Sequence, residues 1–187
     1  LLPSELEAGK LGAAGGVGLT AVELGKLMGA QVIAVASGSD KLERTKTAGA
    51  DHVIDAQTGD IRAQVKKLGG ADVVYDPVGG DQFNAAFRAC NPNGRILIIG
   101  FASGEFPAIP PNHLMVKNIS VQGFNWGGYL KFNPDALTNS LRQLMMWHGQ
   151  GKLTPHISHV LPFEKAKEGL ELLRSRKSTG KVVVKIR

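Results

Sequence analysis

A glycine-rich run near the start of the chain has the spacing needed to bind a phosphate group. The sequence AAGGVG at residues 13–18 fits AxGxxG, a relaxed form of the dinucleotide fingerprint GxGxxG, and a segment of helical period follows at once. Gly15 would let the backbone approach a pyrophosphate, and Gly18 would let the helix pack closely on a sheet. Free N–H groups at the helix N-terminus would meet the phosphates. A glycine-rich surface turn is the alternative, since the motif alone is weakly specific.

The residues after the next apolar run indicate which dinucleotide fits. This run ends at Ala36, about twenty residues beyond the glycine turn, where an NAD site usually has Asp or Glu. Ser37 stands there instead and is followed by Lys41 and Arg44, which favours the 2'-phosphate of NADP. The two basic residues could also be no more than the solvated face of a helix.

A parallel sheet with crossover helices is required to position these residues. Short apolar runs alternate with segments of helical period, which predicts an α/β fold, a Rossmann-type doubly wound parallel sheet. The predicted strands are residues 31–36, 52–54, 72–75, 95–99, 119–123, 160–161 and 180–186, of which 95–99 is expected to be central. The predicted helices are residues 20–28, 40–48 with Asp40 as its cap, 61–68, 81–90, 134–148 and 163–174. Residues 92–94 are predicted to form a turn and residues 100–112 a loop.

The strand that should precede the fingerprint is weak in the sequence. Residues 6–11, LEAGKL, stand where a buried apolar strand at the centre of the sheet is required. We therefore expect the first strand to be nearly absent, with either several residues lost or another segment in its place.

The composition is that of a globular domain. Hydrophobic residues make up 43% of the 187 residues and charged residues 20%. No apolar run approaches the roughly 20 residues that cross a bilayer, and residues 1–10 show no signal pattern, so a cytoplasmic location and no membrane association are expected. The net charge of +6 comes from basic residues spread along the chain, with one dense cluster at 174–181, so nucleic acid is not expected as the primary partner.

Five longer motifs resemble those of one enzyme family. They are GAAGGVG at 12–18, DPVGG at 76–80, GRILIIGFASG at 94–104, KNISVQGFNWG at 117–127 and KSTGKVVV at 177–184. Through them most of the chain, from about Leu6 to Arg187, resembles the C-terminal half of zinc-free quinone oxidoreductases of the medium-chain dehydrogenase/reductase superfamily. Together the motifs are much more specific than the glycine turn alone.

The resemblance implies that this half binds NADPH. The pyrophosphate would meet the glycine turn, the 2'-phosphate would lie near Ser37 and Lys41, and the nicotinamide would lie near residues 100–102 and 124–126. The implied cofactor contacts are Ala14, Gly15, Gly16, Val17, Ser37, Lys41, Val78, Gly100, Phe101, Ala102, Phe124, Asn125 and Trp126. Ala56 departs from the family, in which many members carry an aromatic residue or His there, and this puts an adenine or ribose contact at that position in question.

The resemblance also implies a reaction and an assembly. Hydride would pass from NADPH to a quinone or an activated enone or carbonyl, without a metal. The GroES-like catalytic domain of the family has no counterpart in this sequence, so the chain alone is expected to be inactive. Residues 1–157 would form the cofactor-binding domain, and residues 158–187 would pack towards the absent domain. A homodimer would form by pairing of edge strands near residues 119–124.

No residue is assigned a catalytic or metal-binding role. The five histidines lack metal-ligand spacing, Asp76 at a strand end is expected to cap local structure, and the only cysteine, Cys90, is expected in the core. The cofactor would supply the chemistry and the protein the positioning. The alternative is a catalytically inert binding or structural module that kept the fold, and an upstream coding region for a GroES-like domain would argue against it.

Overall fold

The chain folds into a six-stranded parallel sheet flanked by helices, followed by a smaller two-stranded sheet. The computed structural model describes residues 8–12 and 14–187. The strands are β1 Ala8–Gly12, β2 Gln31–Ala36, β3 His52–Asp55, β4 Ala71–Asp76, β5 Cys90–Ile98, β6 Ser120–Gly123, β7 Ile157–Pro162 and β8 Lys181–Lys185. The helices are α1 Gly18–Leu27, α2 Ser39–Thr47, α3 Ile61–Lys67, α4 Gly80–Ala89, α5 Pro111–Lys117, α6 Tyr129–Phe132, α7 Pro134–Gly149 and α8 Ala166–Arg174, with 3-10 turns at Trp126–Gly128 and Phe163–Lys165.

The strand order of the large sheet is β3-β2-β1-β4-β5-β6, and every neighbouring pair is parallel. The chain winds outward from β1 to β3 and then crosses back to place β4 on the other side of β1. In sheets of this kind ligands bind at the carboxyl ends of the strands, where the order reverses. The predicted Rossmann-type doubly wound sheet is confirmed, although β5 lies second from one edge rather than at the centre.

The prediction that the first strand is nearly absent was wrong. β1 occupies the centre of the sheet, where Gly9 lies opposite Val32 of β2 on one side and opposite Val73 of β4 on the other. Strand formation depends on the neighbouring strands as much as on the segment itself, so partners on both sides outweigh the low strand propensity of its glycines. The part of the predicted segment before Ala8 lies outside the described residues.

Helices cover both faces of the sheet, and β2 shows this most clearly. Ile33 packs in one layer with Phe83 of α4, while Val32 packs in the other layer with Val22 of α1. All four side chains are at most 1% exposed. Because successive residues of a strand point to opposite faces, β2 is buried on both sides, as expected for an inner parallel strand.

The start of α2 differs from the prediction that Asp40 caps it. The helix begins at Ser39 after Gly38, which has a φ of 90°, and no side chain caps it within the described residues. The positive φ of Gly38 makes the turn into the helix, which places Asp40 inside the first turn, where its carboxylate interacts with the helix dipole.

Several short elements were not predicted. The segment predicted as a loop to residue 112 ends earlier, because α5 begins at Pro111, a residue favoured at a first helical position. The turn predicted at 92–94 is instead part of β5, at whose start the pairing with β4 shifts register between Ala71 and Val73. None of the described helices is long and apolar enough to span a lipid bilayer.

The C-terminal residues form a second, parallel pair of strands. β7 lies beside β8, with α8 between them along the chain, so the apolar C-terminal strand that the sequence predicts has a partner. An isolated bridge joins Gly15 to Gly180 and ties this pair to the glycine turn. The predicted domain boundary at residues 157/158 falls at the start of β7, and packing of this unit towards a second domain stays a prediction.

Candidate functional site

The glycine turn connects the carboxyl end of β1 to the N-terminus of α1. Within the described residues no side chain caps α1. The Leu19 N–H donates to the backbone oxygen of Gly15 at 3.0 Å, and the other N–H groups of the first turn are available to a ligand. A Cβ added to Gly16 would lie 2.9 Å from the backbone oxygen of Gly180, whereas one added to Gly15 would meet no atom within 4 Å. Gly16 is therefore needed for the turn to pack against Gly180. Gly15 leaves open space for a ligand to approach the backbone.

A cleft of about 420 Å³ lies beside this turn, within the usual size range of ligand sites. It brings together eight of the thirteen predicted cofactor contacts, namely Ala14, Gly15, Gly16, Val17, Ser37, Lys41, Val78 and Ala102. The cleft lies where the strand order reverses, because its lining residues follow β1, β2, β4 and β5. Gly18, Val35, Ala36, Pro77 and Gln82 complete this part of its wall.

The end of β2 contributes a hydroxyl and an ammonium to the cleft. Ser37 and Lys41 both line it, and Lys41 Nζ donates a hydrogen bond to the backbone oxygen of Arg176 at 3.1 Å. Arg44, which the sequence grouped with Lys41, instead lines a different cavity with Glu23 and other residues. Only one of the two basic residues is therefore placed to act on a ligand in the cleft.

The end of β4 is held by Asp76, whose role is structural, as expected. Its carboxylate, in a residue only 6% exposed, accepts hydrogen bonds from the N–H groups of Val78 at 3.0 Å and Gly79 at 3.1 Å. The Ser103 hydroxyl donates to the backbone oxygen of Val78 at 2.7 Å and links this turn to the loop after β5. These contacts fix Val78 and Ala102 on the same wall of the cleft.

A second cavity of about 420 Å³ lies beyond the carboxyl ends of β5 and β6. It brings together four further predicted contacts, Gly100, Phe101, Phe124 and Asn125. Trp126 does not line it but stacks on Phe124 with ring centroids 6.1 Å apart. The remaining lining residues are Ile98, Ile99, Gly123, Tyr129 and Phe132, so no acidic or basic side chain of the described residues lines this space.

The sequence missed a set of C-terminal residues that close the first cleft. Leu173, Arg176, Ser178 and Gly180 line it, and the Arg176 guanidinium donates to the backbone oxygen of Ala102 at 3.0 Å. No residue of the basic cluster at 174–181 was predicted to contact the cofactor, although the cluster itself is visible in the sequence. Its proximity to the glycine turn depends on pairing across most of the chain, which local patterns do not reveal.

The remaining candidates for chemistry do not form a reactive group. Cys90 is 1% exposed, and burial raises the pKa of its thiol to about 11, so it stays protonated in the core. His156 Nε2 lies 3.1 Å from the Thr179 hydroxyl, which occupies that ring nitrogen. In the described part of the chain, no three His, Cys, Asp or Glu residues are grouped closely enough to hold a metal ion.

Comparison with known proteins places this geometry in one family. Residues 16–145 match the family model described as zinc-binding dehydrogenase. The quinone oxidoreductase-like protein 2 homolog of Nematostella vectensis is 41% identical over 177 residues, which cover 92% of this chain and 48% of that protein. The chain thus spans about half the length of the curated relatives it matches.

Solved structures agree with the fold. The quinone oxidoreductase of Thermus thermophilus, solved alone and in complex with NADPH, is 31% identical and superimposes with a TM-score of 0.86, covering 97% of this chain and 58% of that one. A structure described as NAD-dependent alcohol dehydrogenase is 33% identical with a TM-score of 0.83, covering 97% of this chain and 51% of that one. The two structures carry names for different nicotinamide cofactors, so the choice between NADPH and NADH depends on this chain's own residues.

Proposed function

The chain belongs to the zinc-binding dehydrogenase family, within the medium-chain dehydrogenase/reductase superfamily, and we propose that it forms the NADPH-binding half of an oxidoreductase. The observation that carries the proposal is the cleft at the strand-order reversal, lined by the glycine turn on one side and by Ser37 and Lys41 on the other. Four structural neighbours described as complexes with NADPH or as quinone oxidoreductases support this choice.

The residues of the cleft fit each charged part of NADPH. The open space at Gly15 and the uncapped N-terminus of α1 suit a diphosphate, because N–H groups and the positive end of the helix dipole both face it. Ser37 and Lys41 suit a 2'-phosphate, and no carboxylate stands at the end of β2 to repel it. The proposed contacts are those predicted from the sequence, with Arg176, Ser178 and Gly180 added.

The second cavity is proposed to hold the nicotinamide ring and the hydride acceptor. NADPH supplies the hydride when bound, and Gly100, Phe101, Phe124 and Asn125 would position its acceptor and exclude water. We propose a quinone or an activated enone as the acceptor, with no metal in the reaction. The uncharged, aromatic lining supports this acceptor class, and the names of the relatives point the same way.

The rest of the assembly is proposed on the same basis. β6 lies at the edge of the large sheet with one described neighbour, β5, so pairing between two copies near residues 119–124 would complete it. The C-terminal unit exposes Val160, Phe163 and Leu170 by 60% or more, which supports packing of residues 158–187 towards a GroES-like domain. A cytoplasmic location remains an expectation.

Calorimetric titration of the purified chain with NADPH and, separately, NADH tests the proposal. We expect saturable binding of NADPH that is at least tenfold tighter than binding of NADH. A folded chain, verified by circular dichroism, that binds neither cofactor would contradict the proposal and favour the inert module. Reduction of a quinone by a protein that joins this chain to a GroES-like domain, with and without a metal chelator, then tests the acceptor and the proposed independence of metal.

A further inference from the structure

Two polar side chains, those of Asn125 and Tyr129, belong to the described lining of the second cavity. The other described lining residues are glycine, isoleucine and phenylalanine, none of which exchanges a side-chain proton. A carboxamide does not release its proton in neutral water, whereas a tyrosine hydroxyl is one of the groups that enzymes use for proton transfer. Among the described residues of this lining, Tyr129 is therefore the one that can give a proton to a bound molecule.

The two polar side chains differ in the hydrogen bonds that they already form. The amide oxygen of Asn125 accepts a hydrogen bond from the Gly128 N–H at 3.3 Å and holds the 3-10 turn that leads into α6. Tyr129 is the first residue of α6, so this turn positions its backbone. Its hydroxyl forms no hydrogen bond within the described part of the chain and is available to a ligand.

Aromatic neighbours hold the ring of Tyr129 in place. Its centroid lies 5.8 Å from that of Phe124, 5.9 Å from that of Trp126 and 5.2 Å from that of Phe132. Ring pairs at such distances stabilise each other beyond the apolar area that they bury. A half-buried ring with three aromatic neighbours has little freedom left to lose when a ligand binds, so its hydroxyl is positioned in advance.

We propose that Tyr129 donates a proton to the acceptor that is reduced in this cavity. The inference rests on the proposed function, in which a quinone receives a hydride there. A quinone that gains a hydride has taken up two electrons and one proton and is a hydroquinone monoanion. Tyr129 Oη gives its proton to the anionic oxygen, which leaves a neutral hydroquinone and a tyrosinate, and the tyrosinate then recovers a proton from water. General acid catalysis of this kind raises a rate by about 10²–10⁴-fold.

Removal of the hydroxyl alone tests the assignment in a protein that joins this chain to a GroES-like domain. Tyr129→Phe is expected to lower kcat for duroquinone, which carries four methyl groups, by about a hundredfold. KM should change by less than about twofold, because the ring and its aromatic neighbours stay. The matched control is Tyr75→Phe, since Tyr75 is the other tyrosine of the chain and does not line the cavity.

Two further readouts accompany the kinetics. Circular dichroism verifies that both variants fold. Quenching of tryptophan fluorescence by duroquinone measures equilibrium binding, because Trp126 stacks on Phe124 in the cavity wall. The dissociation constant of Tyr129→Phe should stay within about twofold of the wild type, since the hydroxyl acts on the reduced acceptor. Equal kcat values for Tyr129→Phe and Tyr75→Phe overturn the assignment.

A second quinone of similar shape separates proton donation from a structural role. Chloranil carries four chlorine atoms in place of the methyl groups of duroquinone, and its reduced anion is stable without a proton. Tyr129→Phe should therefore reduce chloranil within about threefold of the wild-type rate. The ratio of the two rates within one variant does not depend on the fraction of protein that is folded.

The possible failures are distinguishable. An equal loss for duroquinone and chloranil in Tyr129→Phe overturns proton donation by Tyr129 and leaves the proposed function in place. A wild-type protein that reduces neither quinone overturns the proposed acceptor and the role of Tyr129 together.

Discussion

The ammonium of Lys41 donates a hydrogen bond to the backbone oxygen of Arg176, although 135 residues separate them along the chain. The Arg176 guanidinium in turn donates to the backbone oxygen of Ala102 at 3.0 Å. The residues after β2, β5 and α8 thus meet around one cleft. A nucleotide site that the sequence attributes to the first βαβ unit is therefore completed by the C-terminal segment.

Lys41→Met is expected to weaken NADPH binding by about tenfold or more and to leave NADH within about twofold, since only NADPH carries a 2'-phosphate. Isothermal calorimetry with both cofactors measures the difference. Lys46→Met is the control, because Lys46 is exposed on the same helix but does not line the cleft. An equal loss for NADH would show that Lys41 contacts a part of the cofactor common to both.

The sheet could be predicted because its strands carry strong local patterns. β2 was predicted with the observed bounds, since its apolar residues are continuous and a strand buried on both faces reads as such a run. β1 has no such run, and its formation depends on the two strands beside it, so the sequence alone indicated an absent strand.

The residues of the candidate site also divide into those that a local sequence pattern predicts and those that it does not. Gly15, Gly16 and Lys41 were predicted because a fingerprint and its downstream strand end stand at fixed spacings. Arg176 and Ser178 were missed because no local pattern indicates that the end of the chain returns to its start. The short helix α6 and its neighbouring 3-10 turn were missed because four or fewer residues carry too little periodicity to detect.

Asp76→Ala is expected to lower the free energy of unfolding by about 2–4 kcal/mol. The half-buried N–H group of Val78 and the buried N–H group of Gly79 would lose their acceptor, and an unsatisfied buried group costs about 1–3 kcal/mol. Urea denaturation followed by circular dichroism measures the loss. Asp81→Ala, an exposed carboxylate in the first turn of α4, should cost about 0.5 kcal/mol. Comparable losses in both variants would mean that the Asp76 contacts contribute little.

Cys90 predicts a loss of stability at alkaline pH. Burial raises the pKa of its thiol from 9.0 to about 11, so between these values the unfolded chain releases a proton that the folded chain retains. The free energy of unfolding should therefore be unaffected by Cys90 below pH 9 and fall by about 2–3 kcal/mol as the pH rises to 11. Chemical denaturation at each pH measures the profile.

Cys90→Ala is the control for that profile. The free energy of unfolding of this variant should depend less on pH between 9 and 11. Part of the remaining pH dependence should come from Tyr75, because burial also raises the pKa of its hydroxyl. Parallel profiles for the wild type and Cys90→Ala would show that the thiol does not titrate differently in the two states.

Gly15 and Gly16 are adjacent but should respond differently to alanine. A methyl group on Gly16 would approach the backbone oxygen of Gly180 to 2.9 Å. Gly16→Ala should therefore lower the free energy of unfolding by about 1–3 kcal/mol and also weaken NADPH binding. A methyl group on Gly15 meets no atom within 4 Å, so Gly15→Ala should keep its stability within about 1 kcal/mol. It should nevertheless weaken NADPH by about tenfold, because the added methyl occupies the space where the diphosphate approaches. Thermal denaturation and calorimetric titration of both variants provide the test, and Gly15→Ala binding NADPH as tightly as the wild type would place the diphosphate elsewhere.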